Sequence, residues 1–167
     1  MKYFLLLSVL SISFLGSGCV TTSFSDTSEP SDDVIFENDS LKITLDLSNK
    51  GLTQIPQETF QQKTLVHLDL SNNQLTGSIP AEIRFLTQLE ILDLSDNQMT
   101  GLPAELGQLK KLRILDVSNN QLTGLPLELG QLSSLETLVL RGNDYSTHDL
   151  EIIKSTLPPE TVILTEL

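Results

Sequence analysis

LRILDVSNNQL, residues 112–122, is the stretch on which the reading of this chain turns. Leu115 and Val117 alternate with Ile114 and Asp116, the two-residue period of a short strand with one face turned inward. Asn120 follows where such a strand would end, and a buried side-chain amide there can satisfy the backbone groups of the turn. The block returns without gaps as LVHLDLSNNQL from Leu65, LEILDLSDNQM from Leu89 and LETLVLRGNDY from Leu135, with a degenerate copy, KITLDLSNKGL, from Lys42. The copies start 23, 24, 23 and 23 residues apart. A fixed period of this size marks units that cannot bury their hydrophobic face alone and do so by stacking.

The pattern L-x-x-L-x-L-x-x-N-x-L resembles that of the leucine-rich-repeat family over roughly residues 42–157. The resemblance implies an α/β fold: a right-handed leucine-rich-repeat solenoid with a parallel β-sheet on its concave face and short helical or 3-10 turns on its convex face. Asn73, Asn97, Asn120 and Asn143 are then expected to stack as a structural ladder, with Lys50 at the matching place in the first copy. Between the strands each copy carries Ile55-Pro56, Ile79-Pro80, Leu102-Pro103 or Leu125-Pro126, and proline suits the first position of a short helical turn. Leu106, Leu109, Leu129 and Leu132 should point inward from those turns. Ser78 is an extra residue in the second copy, expected as a small bulge on the convex side.

A stack of repeats needs its ends covered. Val34, Ile35 and Phe36 are expected to cover the first copy. Beyond the last, Ser146, Thr147, His148 and Asp149 have the form of a capping box opening a helix, with Leu150, Ile153 and Leu157 on its apolar stripe and Pro158-Pro159 ending it. Residues 161–164 read as a last strand, and His148 as a first-turn helix residue rather than a ligand.

Side chains between the strand leucines point away from the core and form columns about 4.8 Å apart. One column is Thr44, His67, Ile91, Ile114 and Thr137; the next is Asp46, Asp69, Asp93, Asp116 and Val139. Ser48, Ser71, Ser95, Ser118 and Arg141 follow, then Asn49, Asn72, Asp96, Asn119 and Gly142. His67, Asp69, Ile91, Asp93, Ile114, Asp116 and Arg141 are therefore the expected partner-binding residues. The file of acids repels itself, which a cationic partner would relieve; alternatively, the acids are scaffold, since the serines beside them can donate hydrogen bonds. A flat file gives too few oxygens around one point to hold calcium, which takes six to eight, so no metal or other cofactor is expected.

His67, Asp69 and Ser71 share one strand face without forming a hydrolytic triad. Residues two apart on a strand are separated by about 6.6–7 Å, far beyond the reach of a base for its nucleophile. With no glycine-rich phosphate loop and no clustered Cys or His, the chain does not read as an enzyme.

At the other end, Lys2 precedes an apolar run over residues 3–15 broken only by serines, and Gly16-Ser17-Gly18 supplies small residues for cleavage. The run is shorter than the roughly 20 residues of a membrane span. Cys19 is the sole cysteine, so no internal disulfide forms. Its position resembles a bacterial lipobox, which implies diacylation of Cys19 as the first residue of the mature protein; the position three before it holds Gly16 where that family usually has Leu. The alternative is an ordinary signal peptide followed by a free thiol. Val20 rather than Asp after the cysteine resembles lipoproteins sorted to the outer membrane, on either its periplasmic or its surface side. Residues 20–33, VTTSFSDTSEPSDD, lack apolar period and are expected to be a flexible tether. The expected organisation is a signal peptide over 1–18, acylated cysteine and tether over 19–33, N-terminal cap over 34–41, repeats over 42–143, and capping helix and strand over 144–167.

Composition narrows the partner. Among 167 residues, 22 acids stand against 10 Lys and Arg, a balance unsuited to phosphate backbones, so nucleic acid is not expected. Aromatics are only 5% and Trp is absent, so leucine must supply the core. The expectation is an envelope protein, attached through a lipid anchor, that binds a cationic or neutral protein on its concave face. The other reading is a structural spacer with no specific ligand.

Overall fold

The computed structural model describes residues 42–166. The expected signal peptide, Cys19, the tether and the cap at residues 34–36 lie outside the described residues. In chain order the strands are β1 (Ile43–Asp46), β2 (Leu65–Asp69), β3 (Thr76–Gly77), β4 (Ile91–Asp93), β5 (Gln98–Met99), β6 (Ile114–Asp116), β7 (Thr137–Val139) and β8 (Val162–Leu164). Six of them form one parallel sheet in the order β1-β2-β4-β6-β7-β8. Parallel neighbours require a crossover, and each crossover here carries one helical element on the far side of the core.

Leucine, with Val117 the one exception, makes this possible by sitting at the same three places in the coils from β2 to β7. Leu65, Leu89 and Leu112 open the strand segments, Leu68, Leu92, Leu115 and Leu138 lie at their centres, and Leu70, Leu94, Val117 and Leu140 close them, all fully buried. Ile83, Leu86, Leu106, Leu109, Leu129 and Leu132 reach the same core from the opposite side. The four crossovers after β1, β2, β4 and β6 hold 3-10 turns at Gln57–Gln61, Ala81–Phe85, Ala104–Gln108 and Leu127–Gln131. The prolines sit one place earlier than the sequence suggested: Pro56, Pro80, Pro103 and Pro126 cap the turns, with ψ between 129° and 146°. The fixed φ of proline suits this extended entry, and its carbonyl accepts the first hydrogen bond of the turn, from the amide three residues on, at 3.0–3.2 Å. Small residues let the turns stack. A methyl added at Gly107 would collide with the Glu128 carbonyl of the next turn.

Ser78 falls in the stretch between Gly77 and the 3-10 turn at Ala81–Phe85. It follows β3, and β3 pairs in parallel with β5 in a separate two-stranded sheet, which the sequence did not suggest. Gly77 at the end of β3 has φ 70°, which a side chain would resist.

The last coil is closed by α1 (Thr147–Thr156), with Ile153 and Leu157 buried and Leu150 packed on the core edge. Ser146 Oγ accepts from the Asp149 amide at 3.4 Å, one half of the expected box. The other half is absent because Asp149 is used elsewhere: its carboxylate accepts from the Leu125 amide at 3.4 Å and ties the helix to the preceding coil. His148 lies exposed in the first turn of the helix.

The asparagines tie each coil to the one before it. Asn97 Oδ1 accepts from Leu75 N–H at 3.0 Å, and its Nδ2 donates to Leu70 O at 3.0 Å, Leu94 O at 3.1 Å and Ser95 O at 3.0 Å. Asn73, Asn120 and Asn143 repeat this arrangement, each bonding backbone of its own coil and of its predecessor. The amides stack without bonding one another; backbone lies between them.

Replacing Asn97 with Ala should leave buried carbonyls and an amide unsatisfied and cost about 2–3 kcal/mol in urea denaturation of the chain. Asn143→Ala, in the half-buried last rung, should cost less. Gly107→Ala should destabilise, whereas Gly101→Ala, with open space around it, should not.

Candidate functional site

Because the strands of the main sheet pair in register from β2 to β8, and β1 joins that register from Thr44 after a shift at Ile43, the outward positions form unbroken files. His67 lies beside Ile91, Ile91 beside Ile114, Ile114 beside Thr137 and Thr137 beside Val162. Asp69, Asp93, Asp116, Val139 and Leu164 form the neighbouring file. The predicted residues His67, Asp69, Ile91, Asp93, Ile114 and Asp116 are thus brought together on one face, each half-buried. β8 extends both files with aliphatic side chains, Val162 being 53% exposed. The face is therefore acidic toward β1 and apolar toward β8.

The acids are less free than their column suggests. Asp93 Oδ1 accepts from the Ser95 amide at 2.9 Å and from Ser95 Oγ at 2.6 Å. Asp116 does the same with Ser118, and Asp46 with Ser48. Asp69 accepts from the Ser71 amide at 2.9 Å. One oxygen of each carboxylate thereby caps the turn that leaves its own strand, a local bond typical of Asp. The other is left to face outward. In the last repeat both partners of this unit change together, to Val139 and Arg141. The Arg141 backbone still serves the turn, but its Nε is buried with no hydrogen-bond partner among the described residues. At Asp46 the two Ser48 bonds, the hydroxyl's foremost, hold the carboxyl below its ordinary pKa.

The next column has a backbone purpose. Asn49, Asn72, Asp96 and Asn119 have φ between 53° and 56°, and Gly142 has φ 65°. This left-handed geometry favours Asn, Asp and Gly over other residues, which accounts for the composition of the column.

A further group was overlooked in the sequence. At the second position of the last three copies, Arg113 donates to both carboxylate oxygens of Glu136 at 2.8 and 2.9 Å and lies 3.7 Å from Glu90, which in turn pairs with Lys42, the first residue of its copy, at 3.5 Å. This pairing raises the Arg113 pKa and lowers that of Glu136. Alternation of Glu90, Arg113 and Glu136 at one register position was the available signal. These charges line one side of the face and satisfy one another, whereas the aspartate file beside them has no cation within pairing distance among the described residues.

Ser71 is buried and its amide, not its hydroxyl, bonds Asp69, so His67, Asp69 and Ser71 do not form a relay. Among the described residues no group of three or more His, Cys, Asp or Glu is placed to hold a metal ion, and no helix is long and apolar enough to cross a membrane.

The pattern of the family described as leucine rich repeat matches residues 43–99 and 87–144, more than half of the chain. A leucine-rich-repeat protein of Leptospira interrogans is similar at 44% identity and a TM-score of 0.62, over 66% of this chain and 28% of that one. The leucine-rich-repeat ectodomain of the Arabidopsis thaliana receptor kinase SOBIR1 is 31% identical with a TM-score of 0.59, over 75% of this chain and 68% of that one. The leucine-rich-repeat ectodomain of the receptor kinase GASSHO1/SCHENGEN3, also from Arabidopsis thaliana and solved in complex with Casparian strip integrity factor 2, is 35% identical with a TM-score of 0.56, over 67% of this chain and 14% of that one. The chain thus spans little more than a quarter of the Leptospira protein. No curated protein matches it.

Ser48→Ala should return the Asp46 carboxyl toward its ordinary value, read by NMR titration of the side-chain carbon. The sign follows from the bond: a depressed pKa stabilises the fold above the unfolded pKa, and that contribution fades as pH falls through the folded one. The variant should therefore lose less stability on acidification than the parent chain.

Proposed function

The chain belongs to the leucine-rich-repeat family, and from that premise we propose that it is a lipid-anchored binding module of the bacterial cell envelope, taking a protein partner on its concave face. The single observation that carries this is the register of the sheet: half-buried Ile91, Ile114, Asp93 and Asp116 stand side by side on adjacent strands, and the two aspartates are held by bonds to their own turns. A face of this kind is already organised for a ligand, so little ordering is required on binding. The ligand-bound receptor ectodomain to which the chain is similar supports the same use of the fold.

The charge of the face points to a cationic or neutral partner. Its outward carboxylate oxygens favour Lys or Arg, and the aliphatic side chains of β4, β6 and β8 favour an apolar contact beside them. The acidic balance of the whole chain argues against nucleic acid.

Attachment to the envelope rests on residues 2–19: a basic start, a short apolar run, a small-residue trio and Cys19. Two or three acyl chains on that cysteine hold a protein at a membrane stably where one does not. Val20 favours the outer membrane.

A spacer without a specific ligand is the second reading, favoured by the serine bonds that give the aspartates a structural use. Affinity capture separates the two. A protein retained stoichiometrically by the parent chain should be lost, at least about tenfold, when Asp93 and Asp116 are both changed to Lys. Equal capture by parent and variant would remove the face from consideration. Cys19→Ala should abolish labelling by radioactive palmitate, which the parent chain takes up. Protease accessibility on intact cells then tells a surface position from a periplasmic one.

A further inference from the structure

Among the described residues nothing covers the last strand of the sheet. Val162 N–H donates to Glu136 O at 2.8 Å and Leu164 O accepts from Leu140 N–H at 2.8 Å, so both residues direct their backbone bonds toward the preceding coil. Backbone groups alternate along a strand, which turns the N–H and C=O of Ile163 to the opposite edge, where no described residue meets them. An unpaired edge is a template for another strand unless it is blocked by charge, proline or a bulge. β8 carries none of these: its sequence is Val-Ile-Leu.

The surroundings of this edge are also receptive. Between β8 and α1 lies a depression of about 330 Å³, lined by Thr147, Leu150, Glu151, Lys154, Ile163 and Thr165. Leu150 and Ile163 form its apolar part and pack on the edge of the core. Glu151 and Lys154 stand exposed, one turn apart on the same helix, and neither is paired with an opposite charge among the described residues.

We propose that this end of the molecule joins a second copy of the chain, β8 pairing antiparallel with β8 and α1 lying beside its twin. A two-fold interface uses the same patch on both partners and so requires the patch to complement itself. This one does. An antiparallel pair centred on Ile163 satisfies that residue's N–H and C=O with those of its twin. Val162, the most exposed large hydrophobic side chain among the described residues, comes to lie on the joined face. The same axis sets Glu151 of each copy against Lys154 of the other. The opposite edge, β1, follows directly on the residues expected to cap it. Joined in this way, the two sheets become one face of doubled width, with the aliphatic ends of both copies at its centre and the acidic ends outermost. The inference stands apart from the identity of any ligand on that face.

Sedimentation equilibrium tests it, using the mature chain from residue 19 onward with Cys19→Ser so that neither the apolar leader, a thiol nor an acyl chain drives association. The expected result is a concentration-dependent dimer at physiological salt. Glu151→Lys should weaken it about tenfold or more, and Lys154→Glu added in the same chain should restore it, since exchanged charges face one another again. Val162→Lys, at an exposed site that leaves the core untouched, should also dissociate it. A chain that stays monomeric over the whole concentration range overturns the proposal. So does a dimer whose constant is unchanged by Glu151→Lys and by Val162→Lys, and so does failure of the double exchange to restore what the single one removed.

Discussion

A buried side-chain amide bonded to the backbone of two successive coils is the constraint from which the rest of this structure follows. A chain that leaves a strand and turns back across a narrow core exposes amides and carbonyls that neither helix nor sheet can satisfy, and burying them unpaired is costly. Asn73, Asn97, Asn120 and Asn143 meet those groups at intervals of one coil. Because each reaches into the preceding coil, it sets spacing as well as satisfaction. Leucine then fills the interior without needing large rings.

Once the spacing is set, the outward face is determined in turn. Inward leucines on alternate residues leave the intervening side chains no direction but outward, and parallel pairing lines them up by type. The aspartates hold their place through serines two residues on, and the residue after each serine accepts a left-handed backbone that turns the chain toward the asparagine. Turn, strand and outward side chain are thus one local unit, repeated four times with minor change and altered as a whole in the last coil. What remains for recognition is the second carboxylate oxygen and the aliphatic side chains of the neighbouring file.

The repeat period, the strands, the inward leucines and the columns were legible in the sequence because each rests on a periodicity that no distant contact overrides. The capping helix and last strand were legible for a similar reason, through Ser146, the stripe of Leu150, Ile153 and Leu157, and Pro158. Other features were not. That Asp149 would bond Leu125 rather than complete its own box depends on which coil the helix lies against, a tertiary fact. The β3–β5 pair brings Thr76 and Gly77 alongside Gln98 and Met99, two-residue segments too short to carry apolar alternation. The alternation of Glu90, Arg113 and Glu136 is readable by register, in the column beside those between the leucines, whereas the pairing of Lys42 with Glu90 joins different positions of non-adjacent copies and is a tertiary fact.

The self-contained turn has an evolutionary corollary. Since each aspartate is held by a serine of its own coil rather than by a neighbour, an outward residue can change without disturbing those above or below it. Specificity in such a molecule is editable one rung at a time, and duplication of a whole coil lengthens the display without redesigning what is already there. The final repeat, where Val139 and Arg141 replace the usual pair and the fold persists, is an instance of such an edit tolerated.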